Sequence, residues 1–132
     1  MSKRVLDVGN CRPDHAAIRH LIESNFTATV VQADRREEAL AALRGEPYHL
    51  VLVNRKLNQD YSDGIDVILA MKDDQALAGV PVMLITNLAE HQQEAIDAGA
   101  EPGFGKDELS DPATLGKLGQ LLGHRRNTSP DT

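Results

Sequence analysis

The 132-residue sequence predicts an α/β domain: βα units repeated five times and doubly wound into a five-stranded parallel sheet with helices on both faces. Three observations carry this expectation. Apolar runs of strand length alternate with helix-period stretches, and alternation at this spacing builds a parallel sheet through right-handed crossovers. Two runs, His49 to Val53 and Val80 to Ile85, are apolar almost throughout, as strands covered on both faces are. Helix start and stop signals punctuate the intervals between runs.

Val5-Leu6-Asp7-Val8 opens the chain as a strand. Pro13 to Ser24 follows as a helix, with Pro13 suited to its first turn and Ala17, Ile18, Leu21 and Ile22 forming one apolar stripe. Ala28 to Gln32 is rich in β-branched side chains and reads as the second strand. Asp34 is placed to cap the next helix, with Glu37 completing a capping-box pattern, and that helix carries Leu40 and Leu43 and stops near Gly45. After the His49–Val53 strand comes a polar loop from Asn54 to Gly64, then a helix with Ile65, Ile68 and Leu69. In the fourth strand Pro81 lies near the start, where a missing N–H donor is tolerated. A polar helix from Leu88 to Ala98 ends at Gly99, the stretch around Gly103-Phe104-Gly105 gives a fifth strand, and Asp111-Pro112 opens a last helix faced by Leu115, Leu118, Leu121 and Leu122. One domain over residues 1–123 is expected, and the polar stretch 124–132 (HRRNTSPDT) is expected to be a disordered tail.

Hydrophobic residues make up 41% and charged residues 26% of the chain, the balance of a soluble globular domain. No apolar run approaches the length that crosses a bilayer, MSKRVLDV lacks a signal-peptide pattern, and the single cysteine, Cys11, has no internal disulfide partner. A cytoplasmic protein is expected, with no membrane partner. The net charge of −6 argues against nucleic acid, whose phosphates call for a basic face.

In open sheets of this kind a site forms beyond the carboxyl ends of the strands, near the switch in strand order. That rule draws attention to Gly9 and Asn10, Asn54, Thr86 and Asn87, and Lys106. At this point the sequence resembles the receiver domain of two-component response regulators (the CheY-like family) across residues 3–122. The element order carries the resemblance, with Thr86 after the fourth strand in VMLIT, Lys106 after the fifth in GFGK, and Asp63-Gly64 opening the third helix. It implies a flavodoxin-like sheet in the order 2-1-3-4-5. It also implies a chemistry in which an acidic pair and an acceptor aspartate hold magnesium while threonine and lysine grip the phosphoryl oxygens.

Mapped onto this chain, the acidic pair falls on Gly9 and Asn10 and the acceptor on Asn54. An amide oxygen is no match for a carboxylate nucleophile, and magnesium prefers anionic oxygens. Arg55 and Lys56, directly after Asn54, oppose a divalent cation further if they turn inward. The departures continue elsewhere. Asn87 stands where the family has a small residue, and Asp107 replaces the proline after the lysine. The aromatic switch position falls on Gly103 with Phe104 beside it, and the Asn54–Asp63 loop is about two residues longer than the family's spacing. The resemblance is therefore to a degenerate pseudo-receiver with a pocket of Gly9, Asn10, Asn54, Lys56, Thr86, Asn87 and Lys106, binding no magnesium or other cofactor and catalysing no reaction. Asp7, inside a strand, either faces a strand end or finds one buried partner, or it pairs with Lys106 or a loop cation as a compensating carboxylate. Thr86 and Lys106 are either a remnant anion grip or simple packing and bridging residues, and Asp60 either swings toward the site or is solvated.

Other groupings are weak. Cys11, His15 and His20 diverge around a helix, so a metal cluster is not expected, and Cys11 reads as a packing residue or loop thiol. His91 and His124 read as surface residues, and VGNCRPD has too few glycines for a phosphate-binding motif. The expected function is that of a stand-alone receiver-like signalling protein, since no effector domain follows. It would act by phosphorylation-independent contact with a histidine kinase, an effector or regulator, or itself, through a surface within the Leu88 to Leu122 region. The competing readings are phosphorylation at a shifted aspartate, and a small-ligand binder or enzyme on a flavodoxin-like fold. The latter is disfavoured by having only Phe26, Tyr48, Tyr61 and Phe104 to stack a flat cofactor.

Overall fold

A computed structural model describes residues 2–123. Stretch 124–132, expected above to be a disordered tail, lies outside the described residues. Five strands, β1 (Lys3–Val8), β2 (Ala28–Ala33), β3 (Leu50–Asn54), β4 (Val82–Ile85) and β5 (Glu101–Phe104), form one parallel sheet in the order β2-β1-β3-β4-β5. Between and after them run α1 (Arg12–Asn25), α2 (Arg36–Gly45), α3 (Gly64–Asp73), α4 (Ala89–Asp97) and α5 (Pro112–Leu122). The fold class and strand order are those the sequence predicts.

Strand alternation sorts the apolar side chains into two cores, one on each face of the sheet. Leu6, Val8, Val51, Val53, Val82 and Leu84 meet Ala39 and Leu43 of α2, Val67, Ile68 and Met71 of α3, and Ala95 of α4. Val5, Leu50, Leu52, Met83, Ile85 and Phe104 meet Ile18 and Ile22 of α1 and Leu118 and Leu122 of α5. Asp7 alternates onto this second face, the face of Val5, and so points toward α1.

Local expectations were met unevenly. Asp111 caps α5 by accepting from the Ala113 N–H at 2.9 Å, and Pro112 starts the helix. Asp34 does not cap α2: the helix begins a residue later, with Arg35 at the cap position, while Asp34 Oδ2 accepts from Gln59 Nε2. The loop glutamine outcompetes the local helical N–H groups for that carboxylate. Leu69, grouped with the apolar face of α3, is 50% exposed; Val67, Ile68 and Met71 form the buried face.

Candidate functional site

The order reversal between β1 and β3 leaves a hollow at the carboxyl edge of the sheet, where β3, β4 and β5 deliver their following residues side by side. A cleft of about 330 Å³ opens there, lined by Asn54, Arg55, Lys56, Thr86, Asn87, Lys106 and the apolar Ile85 and Leu88. Three cations and no carboxylate line it among the described residues. Asn54, Lys56, Thr86, Asn87 and Lys106 are thus brought together. Gly9 and Asn10 are not among the lining residues.

The polar side chains of Asn54, Lys56, Thr86 and Asn87 are each engaged locally. Asn54 Nδ2 donates to the Lys56 carbonyl at 2.7 Å, turning the amide back on its own loop. Thr86 Oγ1 accepts from the Leu88 N–H at 3.2 Å, and the Thr86 N–H donates to the Phe104 carbonyl at 3.1 Å. Asn87 Oδ1 accepts from the Asp107 N–H at 3.1 Å and lies so close over Gly105 that a Cβ there would sit 1.8 Å from it. Lys56 Nζ pairs with Asp63 at 2.6 Å, and this hydrogen bond holds the Asp63 carboxyl below its ordinary range.

Behind the cleft, the end of β1 is closed. Gly9 takes a left-handed φ of 79°, open to glycine at little cost. Its absent side chain matters more: a Cβ at position 9 would lie 2.2 Å from Leu57 Cδ2. Leu57, fully buried, occupies that space. The enlarged loop is stitched around it by the bridge between Lys56 and Asp63, by Leu57 N–H to the Ser62 carbonyl, and by Asn58 N–H to the Gly9 carbonyl. Asp60 does not swing inward; its Oδ1 accepts from the Ser62 backbone N–H and hydroxyl, closing the loop tip.

Of the alternatives for Asp7, buried partners form and the pairing with Lys106 does not. Asp7 Oδ2 lies 2.7 Å from His15 Nδ1 and its Oδ1 accepts from Asn10 Nδ2. The strand pleat directs Asp7 to the α1 face, where His15 sits one turn into the helix. Burial pushes the Asp7 carboxyl up, opposed by the hydrogen bonds from His15 and Asn10. Asn10 Oδ1 is buried without a partner among the described residues. Lys106 Nζ instead donates to Asp14 Oδ2 at 2.6 Å, which with a weaker contact from Cys11 Sγ holds the Asp14 carboxyl low. The carboxylate that meets the cleft lysine is therefore Asp14. Among the described residues, no group of three or more His, Cys, Asp or Glu side chains is arranged to hold a metal.

In β5, Gly103 packs so tightly that a Cβ would meet the Leu84 carbonyl at 2.3 Å. Gln92 of α4 fills the neighbourhood. Its Nε2 donates to the Leu84 and Thr86 carbonyls at 2.9 and 3.3 Å, and its Oε1 accepts from the Gly103 N–H at 3.0 Å. Phe104 points into the core at 1% exposure. Sequence reasoning missed Leu57, Gln92 and Asp14 and left His15 aside. Only Leu57 carried a visible signal, as a lone leucine in an otherwise polar loop.

Together the sheet order and the hollow at its carboxyl edge define a receiver-type fold. Solved structures of the same fold include the chemotaxis protein CheY4 of Vibrio cholerae (20% identity, 92% of this chain and 99% of that one, TM-score 0.71). They also include the phosphorylated cyanobacterial phytochrome response regulator RcpA (20% identity, 93% and 96% covered, TM-score 0.74). The Mn²⁺-bound response regulator Rcp1 is a third (17% identity, 92% and 95% covered, TM-score 0.72). At these identities the likeness is one of fold. No family model matches the sequence, and no curated protein is significantly similar to it.

Proposed function

We propose that the chain is a receiver-like signalling module that works by contact with another signalling protein of a two-component phosphorelay, or with a second copy, without phosphorylation at its Asn54 centre. The observation that carries this reading is Leu57 seated against Gly9. The space a first acidic residue would use is taken by a buried hydrocarbon, and the positions that would complete the acidic set, Asn10 and Asn54, carry amides. Magnesium does not fit such a set: a hard cation needs anionic oxygens, and the open side of the hollow presents Arg55, Lys56 and Lys106.

A shifted aspartate is the weaker reading. Asp7 is wholly buried, Asp14 is held by Lys106, and Asp60 is held by Ser62. For the contact surface, Leu88 and Ile96 are 46% and 37% exposed at and on α4, inside the Leu88 to Leu122 region. The test is incubation with acetyl phosphate and magnesium, followed by intact mass measurement. No base-labile acyl phosphate is expected, and a candidate partner should bind equally with and without the treatment. A magnesium-dependent acyl phosphate on any aspartate would overturn the proposal.

A further inference from the structure

The contact of Asp7 with His15 plays no part in the reading above. Asp7 is wholly buried in β1, while the His15 side chain, 2.7 Å away, is 14% exposed. A carboxylate at Nδ1 fixes the ring's orientation and favours the tautomer with its proton on that nitrogen. Asn10 Nδ2 holds the other Asp7 oxygen, so the carboxylate cannot turn away from the ring. His15 Nε2 then carries the lone pair, and it makes no hydrogen bond to any described residue.

His15 also lines an open cleft of about 390 Å³ beside Arg12, Arg19 and His20. Arg12 stands three residues before His15 and Arg19 four after, which places both guanidinium groups on the same helix face. Arg12 has no ion-pair partner among the described residues, and Arg19 holds Glu23 of the same cleft at 3.1 Å. A fixed imidazole with an open nitrogen beside the Arg12 guanidinium suits attack on an anionic electrophile, because that guanidinium offsets the charge that would repel it.

We propose that His15 Nε2 is a phosphoryl-acceptor site for donors that carry the phosphoryl group on nitrogen. The Nε2 lone pair forms the new N–P bond as the donor's N–P bond breaks. In phosphoramidate the leaving nitrogen is already protonated and departs as ammonia with the bonding electron pair, so the protein supplies no proton. The ring keeps its Nδ1 proton, and the positive charge it gains faces the Asp7 carboxylate. His15 is the nucleophile and Asp7 its positioning residue. The site is separate from the Asn54 cleft and stands or falls independently of it.

The full chain is incubated with potassium phosphoramidate and analysed by intact mass and by fragment mapping. One added phosphoryl group on His15 is expected, stable in base and lost in mild acid. That lability separates it from an acyl phosphate. His15→Gln should abolish the adduct and His20→Gln should leave it. Asp7→Asn should slow transfer about tenfold or more while circular dichroism reports a folded chain. No adduct on the folded protein, labelling spread evenly over the histidines, or labelling that survives in His15→Gln would overturn the site. A folded Asp7→Asn chain labelled at the wild-type rate would overturn the role of Asp7. The pair of histidine variants reads the site whether or not Asp7→Asn folds.

Discussion

A single side chain closes the end of β1 behind the cleft. Leu57 leaves the polar loop to bury itself against Gly9, and the two positions are complementary in shape as well as in chemistry. Gly9→Asp asks the chain for two unfavourable things, a side chain at a φ of 79° and a Cβ inside Leu57. It should cost about 2–4 kcal/mol in urea unfolding, from backbone strain and overpacking together. Leu57→Ala alone should cost about 2–5 kcal/mol by leaving a cavity. The double variant should lose clearly less than the sum, because removing the leucine relieves the clash. Additive losses would show that the two residues do not compete for one space.

At the scale of elements, α4 is bound to the sheet through polar contacts. Ala95 is its one fully buried side chain, and Gln92 ties it to β4 and β5 through three backbone groups. Gln92→Leu should cost about 1–3 kcal/mol, chiefly by stranding the Gly103 N–H, and that amide should exchange with solvent faster. Hydrogen exchange by mass spectrometry checks both the size and the place of the effect. Gln92 also marks the limit of what was legible beforehand. The strands and helices could be read because periodicity and turn residues are local properties, and Thr86 and Lys106 because they follow strands at fixed offsets. The partners of those residues could not. A glutamine on a polar helix face looks the same whether it meets water or three backbone groups. Likewise, Asp7 finds His15 only through the pleat of β1 and the crossing of α1, neither of which is written in spacing. Asp34 misled for the same reason, since its carboxylate went to a glutamine 25 residues away.

Across the whole molecule, the pair of Asp14 and Lys106 joins the first turn of α1 to the connection between β5 and α5, 92 residues apart. Its pH dependence has a definite sign. Asp14 is held below its ordinary value of 3.8 by Lys106, so its contribution to stability is present above that value and is lost as the pH falls through the folded-state pKa. Asp7 has the opposite sign: burial raises its folded-state pKa, so its favourable share exists below 3.8 and fades as the pH rises through the higher folded-state value. Urea midpoints across the acid range should therefore show Asp14→Asn less stable than wild type at neutral pH, with the gap closing on acidification below pH 3.8. A gap that widens on acidification would contradict the pairing.

The leucine beneath the loop also sets an order of events. With Leu57 in place, an acidic residue at position 9 arrives before there is room for it. Position 57 has to shrink first, and that move weakens the fold while giving no new chemistry in return. The end of β1 is thus held in its present state by packing as well as by the loss of charge.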